Sequence, residues 1–430
     1  MRAESEEDGP FTVAGAVPPA LDGTLVLLGP NPVWPDDPDA HHLDDGDGML
    51  HAVALAQGSP VGTRSRLVRT RTLAQRWGAR GPEGPLAMAG ARANRSVVAV
   101  AQRLLALDGS GLGYRITPDL ETAGVEDFES MLSVAMGSSV VLDPATGRST
   151  FLGTDLRGPD GVFLIDLSAD GLIERTTSLA LNYQPDDPPI DVLDDVVAIG
   201  LASHGLTWPS EERIGDPTLR FDPERPSAIG LLPRGGTSRD ARWCTTTPGA
   251  FSSFVSLIAS GTGADGTVLR REPPPGAGPS WRPERSGGTL TAFSADARSQ
   301  TLRLDLLDDL EVLGAAVYPT TAPDLRRHCY GVSADATMLI KYNVRNGTAV
   351  RTELPTHLLA GRPTFWRDPE GRSDEEGWLI VPCLDRTTER TALVIFDATR
   401  THAEPEAIIG LPVRIPLDAA GFFLERSAGG

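Results

Sequence analysis

Apolar residues in this chain come in short runs separated by glycine, proline and acidic residues. Clear examples are residues 23–28 (GTLVLL), 96–100 (SVVAV), 162–167 (VFLIDL) and 196–199 (VVAI). Residues 254–258 (FVSLI), 378–381 (WLIV) and 392–396 (ALVIF) continue the series. Runs of this length, rich in branched residues and bounded by turn formers, predict β-strands, and no helical period is sustained over a long stretch. Strands following strands, with no helices between them, predict a propeller or sandwich rather than alternating βαβ units. No strict repeat marks where one blade would end and the next begin.

The stretch 42–53 (HLDDGDGMLHAV) joins turn chemistry at Asp45-Gly46-Asp47-Gly48 to alternating residues from Met49 to Val53, the pattern of a half-buried strand. Segments 157–161 and 273–283 are rich in proline and glycine and predict loops between strands. Segment 81–94 (GPEGPLAMAGARAN) has a small apolar centre and also predicts a loop.

Composition narrows the function. The chain of 430 residues has 46 glycines, 36 prolines and 40% hydrophobic residues, enough for many turns and a large core. A net charge of −19 argues against nucleic acid and anionic membrane surfaces, both of which need lysine and arginine. Lys341 is the only lysine, so basic charge is almost all arginine, which points to a GC-rich bacterial genome. Cys244, Cys329 and Cys383 lie far apart and suggest free core thiols rather than disulfides. The acidic start MRAESEEDGP has no apolar segment, and no run of about 18 apolar residues follows, so a cytoplasmic protein with no transmembrane segment is expected.

Several short motifs occur in a fixed order: Gly29-Pro30-Asn31-Pro32, then DGDGM and HAV, Ala93-Asn94, Leu104-Leu105-Ala106-Leu107 and Leu120-Glu121-Thr122-Ala123-Gly124. Asp143-Pro144-Ala145-Thr146-Gly147, residues 229–234 (IGLLPR) and 412–416 (PVRIP) complete the series. Together they resemble the carotenoid cleavage oxygenases nearly end to end. That resemblance implies one domain over residues 1–430, an all-β seven-bladed propeller with loops and short helices capping one face. It also implies iron(II) held on the axis by four histidines, and a tunnel for an apolar small-molecule substrate.

The four histidine positions do not carry histidine. By the resemblance they fall on Ser139, Ile190, Thr246 and Ala420, and the glutamates that support the ligands fall on Gly109, Val317 and Arg362. None of these holds iron(II) in the expected way, so no metal and no other cofactor is expected. By the resemblance His42 and His51 match structural positions, and His41 beside Asp44 fits a solvated loop pair better than a ligand set. A rebuilt centre from His204, His328 and His357 has no spacing to support it. The acidic run from Asp36 to Asp47 lacks the later glutamate of a calcium loop.

A propeller without its ion keeps an axial cavity, which the replacement of imidazoles by Ile190 and Ala420 is expected to widen and dry. Holding a polyene with two of its parts in contact lowers the barrier to ring closure without redox chemistry. The candidate catalytic residues are Arg362, Asp418, Ser139 and Thr246, which can polarise a carbonyl or face developing charge. Ser139, Ile190, Thr246, Ala420, Trp243, Phe128 and Phe422 are the candidate substrate contacts. Arg362 and Asp418 also fit an inert ion pair, and Asp191 fits a structural hydrogen bond. The leading expectation is a metal-independent cyclase or isomerase for a polyene or polyketide-like compound in bacterial secondary metabolism. The alternatives are a non-catalytic binder of an apolar ligand and an iron oxygenase with a displaced metal site.

Overall fold

A computed structural model describes residues 4–7, 9–31, 46–83, 92–156, 161–193, 195–207, 218–282, 287–317 and 326–425. The fold is all-β. Each apolar run named above lies inside a strand: residues 23–28 in Gly23–Asn31, 254–258 in Ala250–Ser260, and 392–396 in Arg390–Asp397. Among the described residues, helix is confined to Arg71–Arg76 and a 3-10 turn at Ser238–Asp240. The short helices expected in a cap therefore reduce to these two elements there. No helix of the described residues is long and apolar enough to cross a membrane. The acidic run at 36–45, His41, His42 and most of the loop at 81–94 lie outside the described residues.

Strands pair almost entirely with their neighbours in sequence, as antiparallel meanders. Ser96–Val100, Arg103–Leu107, Tyr114–Ile116 and Thr122–Val125 make one four-stranded sheet. Ala135–Leu142, Ser149–Thr154, Val162–Leu167 and Ile173–Leu179 make a second. A larger sheet runs from Ile190–Leu193 to Thr348–Glu353, and its long strand Thr301–Val317 pairs with Gly288–Asp296 near one end and with His328–Ser333 near the other. The two chain ends are sewn into sheets made elsewhere. Thr12–Gly15 pairs with Ala407–Gly410, and Ala420–Glu425 pairs with Gly23–Asn31, Leu28 facing Ala420.

The inner strands of these sheets touch in a closed ring. Ala420–Glu425 meets Ser96–Val100, which meets Ala135–Leu142, then Ile190–Leu193, Ala250–Ser260, Thr301–Val317 and Thr364–Arg367, which returns to Ala420–Glu425. This is the arrangement of a propeller, with hydrophobic clusters filling the spaces between adjacent sheets. One cluster joins Leu50, Leu105, Phe128 and Phe151, and another joins Leu27, Val53, Ile395 and Ile409. Cys244, Cys329 and Cys383 are all free and buried, and burial pushes the Cys383 thiol up to about 12.

The strand from the DGDGM stretch departs from the expected half-buried pattern. Asp47–Ala56 is buried on both faces through Val53, because it lies between Gly23–Asn31 and Ser59–Leu67 and each face meets a different cluster. His51 is structural, its Nδ1 2.8 Å from the Ser65 hydroxyl on the next strand. Gly48 shows why the turn needs glycine. Its N–H donates to the Arg92 carbonyl at 2.9 Å, and a Cβ there would sit 1.9 Å from the Ala93 carbonyl oxygen. Backbone cannot swing away as a side chain can, so Gly48→Ala is expected to cost roughly 3 kcal/mol. A lower urea midpoint with an unchanged slope checks this.

Candidate functional site

A cavity of about 300 Å³ opens where the ring strands end. The strand Ala135–Leu142 slips register against its partner between Met136 and Val140, and this bulge brings Ser138 and Ser139 to the cavity wall. Ala250–Ser260 contributes Ser252 and Ser253, Thr301–Val317 contributes Gly314 and Ala315, and Ala420–Glu425 contributes Ala420. Arg362 enters just ahead of the strand Thr364–Arg367, anchored by its N–H to the Leu417 carbonyl at 2.8 Å, with Asp418 next in sequence.

Four of the residues expected at the site, Ser139, Arg362, Asp418 and Ala420, are thus brought together. The Ser139 hydroxyl is already engaged: it accepts the Ile190 N–H at 3.1 Å and ties two ring strands. Arg362 is half-buried. Burial lowers its pKa, while the Asp418 carboxylate works the other way and favours its charge.

The other five expected contacts lie elsewhere. Ile190 turns its side chain into the cluster of Leu152, Val162 and Ile199, so only its backbone approaches Ser139. Thr246 pairs with Ser227 on Arg242–Thr246, off the cavity wall, and Trp243 on the same strand packs against the Ile190 cluster. Phe128 is fully buried with Leu105 and Phe151, under the Arg103 guanidinium, and Phe422 packs against that same cluster. Phe422 lies two residues beyond Ala420, on the same face of the strand but further along it, where its ring packs against the cluster between sheets. Asp191 makes the expected structural bonds, accepting the Val192 N–H at 2.8 Å and pairing with Arg326.

Residues without a family signal build the rest of the wall. Arg95 donates to Asp187 at 2.6 Å and to Asp186 at 3.2 Å. Asp187 also accepts the Ser138 N–H at 2.8 Å and the Ser138 hydroxyl. Burial opposes the Arg95 charge, but Asp186, Asp187 and Asp108 outweigh it and raise its pKa above the usual arginine value. Asp187 fills the space beside Gly109, where the resemblance calls for a glutamate. Gly109 has φ +81°, and a Cβ on it would lie 2.4 Å from the Asp187 Cγ. The sequence sign of this network is the acidic pair in Gln184-Pro185-Asp186-Asp187-Pro188-Pro189, a rigid loop that aims two carboxylates inward.

His204 also lines the cavity. Its ring makes a triangle with Phe221 and Trp281, centroids 5.2 and 4.9 Å away, those two meeting each other edge-on at 4.8 Å, and Nε2 lies 3.1 Å from the Trp281 carbonyl. Trp281 belongs to the loop at 273–283, which the sequence marked only as a connection.

The wall is therefore mixed, apolar and polar surface contributing about equally. Beside Leu219, Ala250 and Phe251 it carries Arg95, Arg271 and Arg362, Asp186, Asp187 and Asp418, and several serines, contrary to the expected drying of the site. This donor set does not fit iron(II). It offers one imidazole with Nε2 against a carbonyl, two carboxylates paired to Arg95, and guanidinium groups that repel a cation. Among the described residues, no three His, Cys, Asp or Glu side chains converge as a metal-holding group.

The Arg95–Asp187 pair is enclosed, the two side chains being 13% and 4% exposed. Removing one partner of such a pair leaves a buried charge uncompensated. Arg95→Met is expected to destabilise the fold by about 3 kcal/mol. Chemical denaturation, with the slope checked for two-state behaviour, measures it.

Comparison with known proteins agrees with the fold and the motif series. The sequence profile of the family described as RPE65, retinal pigment epithelial membrane protein, matches residues 1–425. A carotenoid cleavage oxygenase of Mycobacterium tuberculosis is 25% identical over 468 residues, spanning 95% of this chain and 93% of its own. An apocarotenoid-15,15'-oxygenase of Synechocystis is 25% identical over 463 residues, spanning 96% of this chain and 92% of its own. Among solved structures, a lignostilbene dioxygenase of Pseudomonas brassicacearum superposes with a TM-score of 0.86 at 20% identity, covering 99% of this chain and 96% of that one. The chain belongs to the RPE65 family of carotenoid cleavage oxygenases.

Proposed function

We propose that this family member is a metal-independent, non-oxidative enzyme that isomerises or cyclises a polyene or polyketide-like compound with a polar end. The observation that carries this reading is the donor set of the cavity, in which arginine–aspartate pairs stand in the region that the family resemblance assigns to iron ligands. The volume, about 300 Å³, is at the lower end for small-molecule sites and suits a compact or folded skeleton.

In this reading the kinship with carotenoid and apocarotenoid oxygenases suggests the substrate skeleton, and the charged part of the wall selects its oxygenated end. Arg362 provides a fixed cation at the wall, where a carbonyl oxygen gaining negative charge in a ring closure or double-bond shift is stabilised. The Asp418 carboxylate nearby favours the charged form of that guanidinium. Ser139 holds the bulged strand against Ile190–Leu193 and so acts as a positioning residue.

The test is incubation with candidate polyenes and polyketide-like ketones without oxygen and with a strong chelator present. Formation of an isomer of unchanged mass is the expected result, and Arg362→Ala is expected to lower kcat/KM about 100-fold, with Arg362→Lys between the two. Binding of the same compounds with no product would make the protein a carrier. Turnover that appears only when iron(II) is restored would overturn the reading.

A further inference from the structure

The arginines of the cavity wall are not equally engaged. Arg95 is committed to Asp187 at 2.6 Å and Arg271 to Glu311 at 3.7 Å. The side chain of Arg362 makes no hydrogen bond and no salt bridge among the described residues, Asp418 standing near enough to favour its charge without pairing with it. None of its guanidinium nitrogens is among the buried atoms that lack a partner, so each keeps surface, and the residue lines the cavity. Arginine cannot shed its charge, and a guanidinium withdrawn from bulk water without partners is costly. Burial does act against the charge of Arg362.

The fold holds the group in that position. The Arg362 N–H donates to the Leu417 carbonyl at 2.8 Å, and the Gly361 N–H to the Pro382 carbonyl at 2.7 Å. Alongside the side chain lies Gly314, with φ +66°, where Thr301–Val317 slips register against His328–Ser333. A Cβ on Gly314 would sit 2.8 Å from the Arg362 Nε and 3.5 Å from its Cζ. The bulge and the missing side chain together make room for the guanidinium.

We infer that Arg362 is the anchor for a carboxylate, and that the ligand is a conjugated acid that enters the cavity already ionised. This deepens the function proposed above by naming the polar end of its substrate, and rests on it. A guanidinium presents its N–H donors as a fixed fork, which the two oxygens of a carboxylate match. A single negative charge suits this wall, because Asp186, Asp187 and Asp418 would repel a dianion such as phosphate. Leu219, Ala250 and Phe251 give the hydrocarbon part a surface to lie against. The oxygen that Arg362 faces in the proposed reaction is then a carboxylate oxygen at the end of the conjugated chain.

Calorimetric titration of the full chain, with chelator present and at mildly alkaline pH, tests this. The probes are sorbate, a short diene carboxylate, and sorbyl alcohol, which has the same carbon skeleton and no charge. Sorbate is expected to bind roughly 30-fold more tightly, as hydrogen bonds to a charged group allow. Arg362→Gln is expected to abolish that preference and leave the affinity for the alcohol unchanged, with Arg362→Lys retaining part of it. Gly314→Ala is an independent check that keeps the arginine but displaces it, and is expected to weaken sorbate more than the alcohol. Equal binding of acid and alcohol by the unmodified protein, or no binding of the acid, overturns the inference, as does a preference that survives Arg362→Gln. Inorganic phosphate binding more tightly than sorbate overturns the assignment to a carboxylate. Preference for the acid together with turnover that needs iron keeps the anchor and removes the metal-free reading. Metal-free isomerisation of neutral polyenes by a protein that does not prefer the acid removes the anchor and leaves that reading standing.

Discussion

Closure of the inner ring is the constraint from which the site follows. Ala420–Glu425 reaches back across the whole chain to pair with Gly23–Asn31 and also abuts Ser96–Val100 and Thr364–Arg367. A ring of sheets closed in this way turns its inner strand edges toward the shared centre, short and protected, and fixes the ends of those strands relative to one another. Residues distant in sequence, such as Ser96, Ser139, Ser253, Arg362 and Ala420, then share one small volume. Their positions come from backbone pairing rather than from contacts among themselves, so the frame tolerates wide change in what those side chains are.

What occupies that volume is a balanced set of charges. Placing arginine and aspartate out of water is costly unless they meet each other and further donors. Here Asp187 collects Arg95 and both the N–H and the hydroxyl of Ser138, so a strand bulge, a proline-bounded loop and the residue just ahead of Ser96–Val100 are locked by one carboxylate. A site built this way has its charged groups held in place by one another before any ligand arrives.

The fold was legible because strand runs and turn formers are local signals, and because the ordered motifs span the chain. The site was legible only where family spacing led directly to a position, as at Ser139, Arg362 and Ala420. It failed at Thr246, because the chain enters the cavity on the following strand, with Ser252 and Ser253, and strand pairing is not written in residue spacing. Phe128, Trp243 and Phe422 were read as wall, but aromatic side chains serve equally well between sheets, and burial between two clusters leaves no mark in composition. His204 was visible as a histidine and nothing more, since its role depends on a carbonyl 77 residues away.

The meeting of Gly109 and Asp187 bears on ancestry and on redesign. A glutamate restored at position 109 would collide with a carboxylate that now belongs to Arg95, and its backbone sits at a dihedral suited to glycine. Any redesign that places a longer side chain at position 109 must therefore also move Asp187 and find Arg95 another partner. Positions 95, 109, 138 and 187 thus behave as one unit, in which a change at any one is unfavourable unless the others change with it.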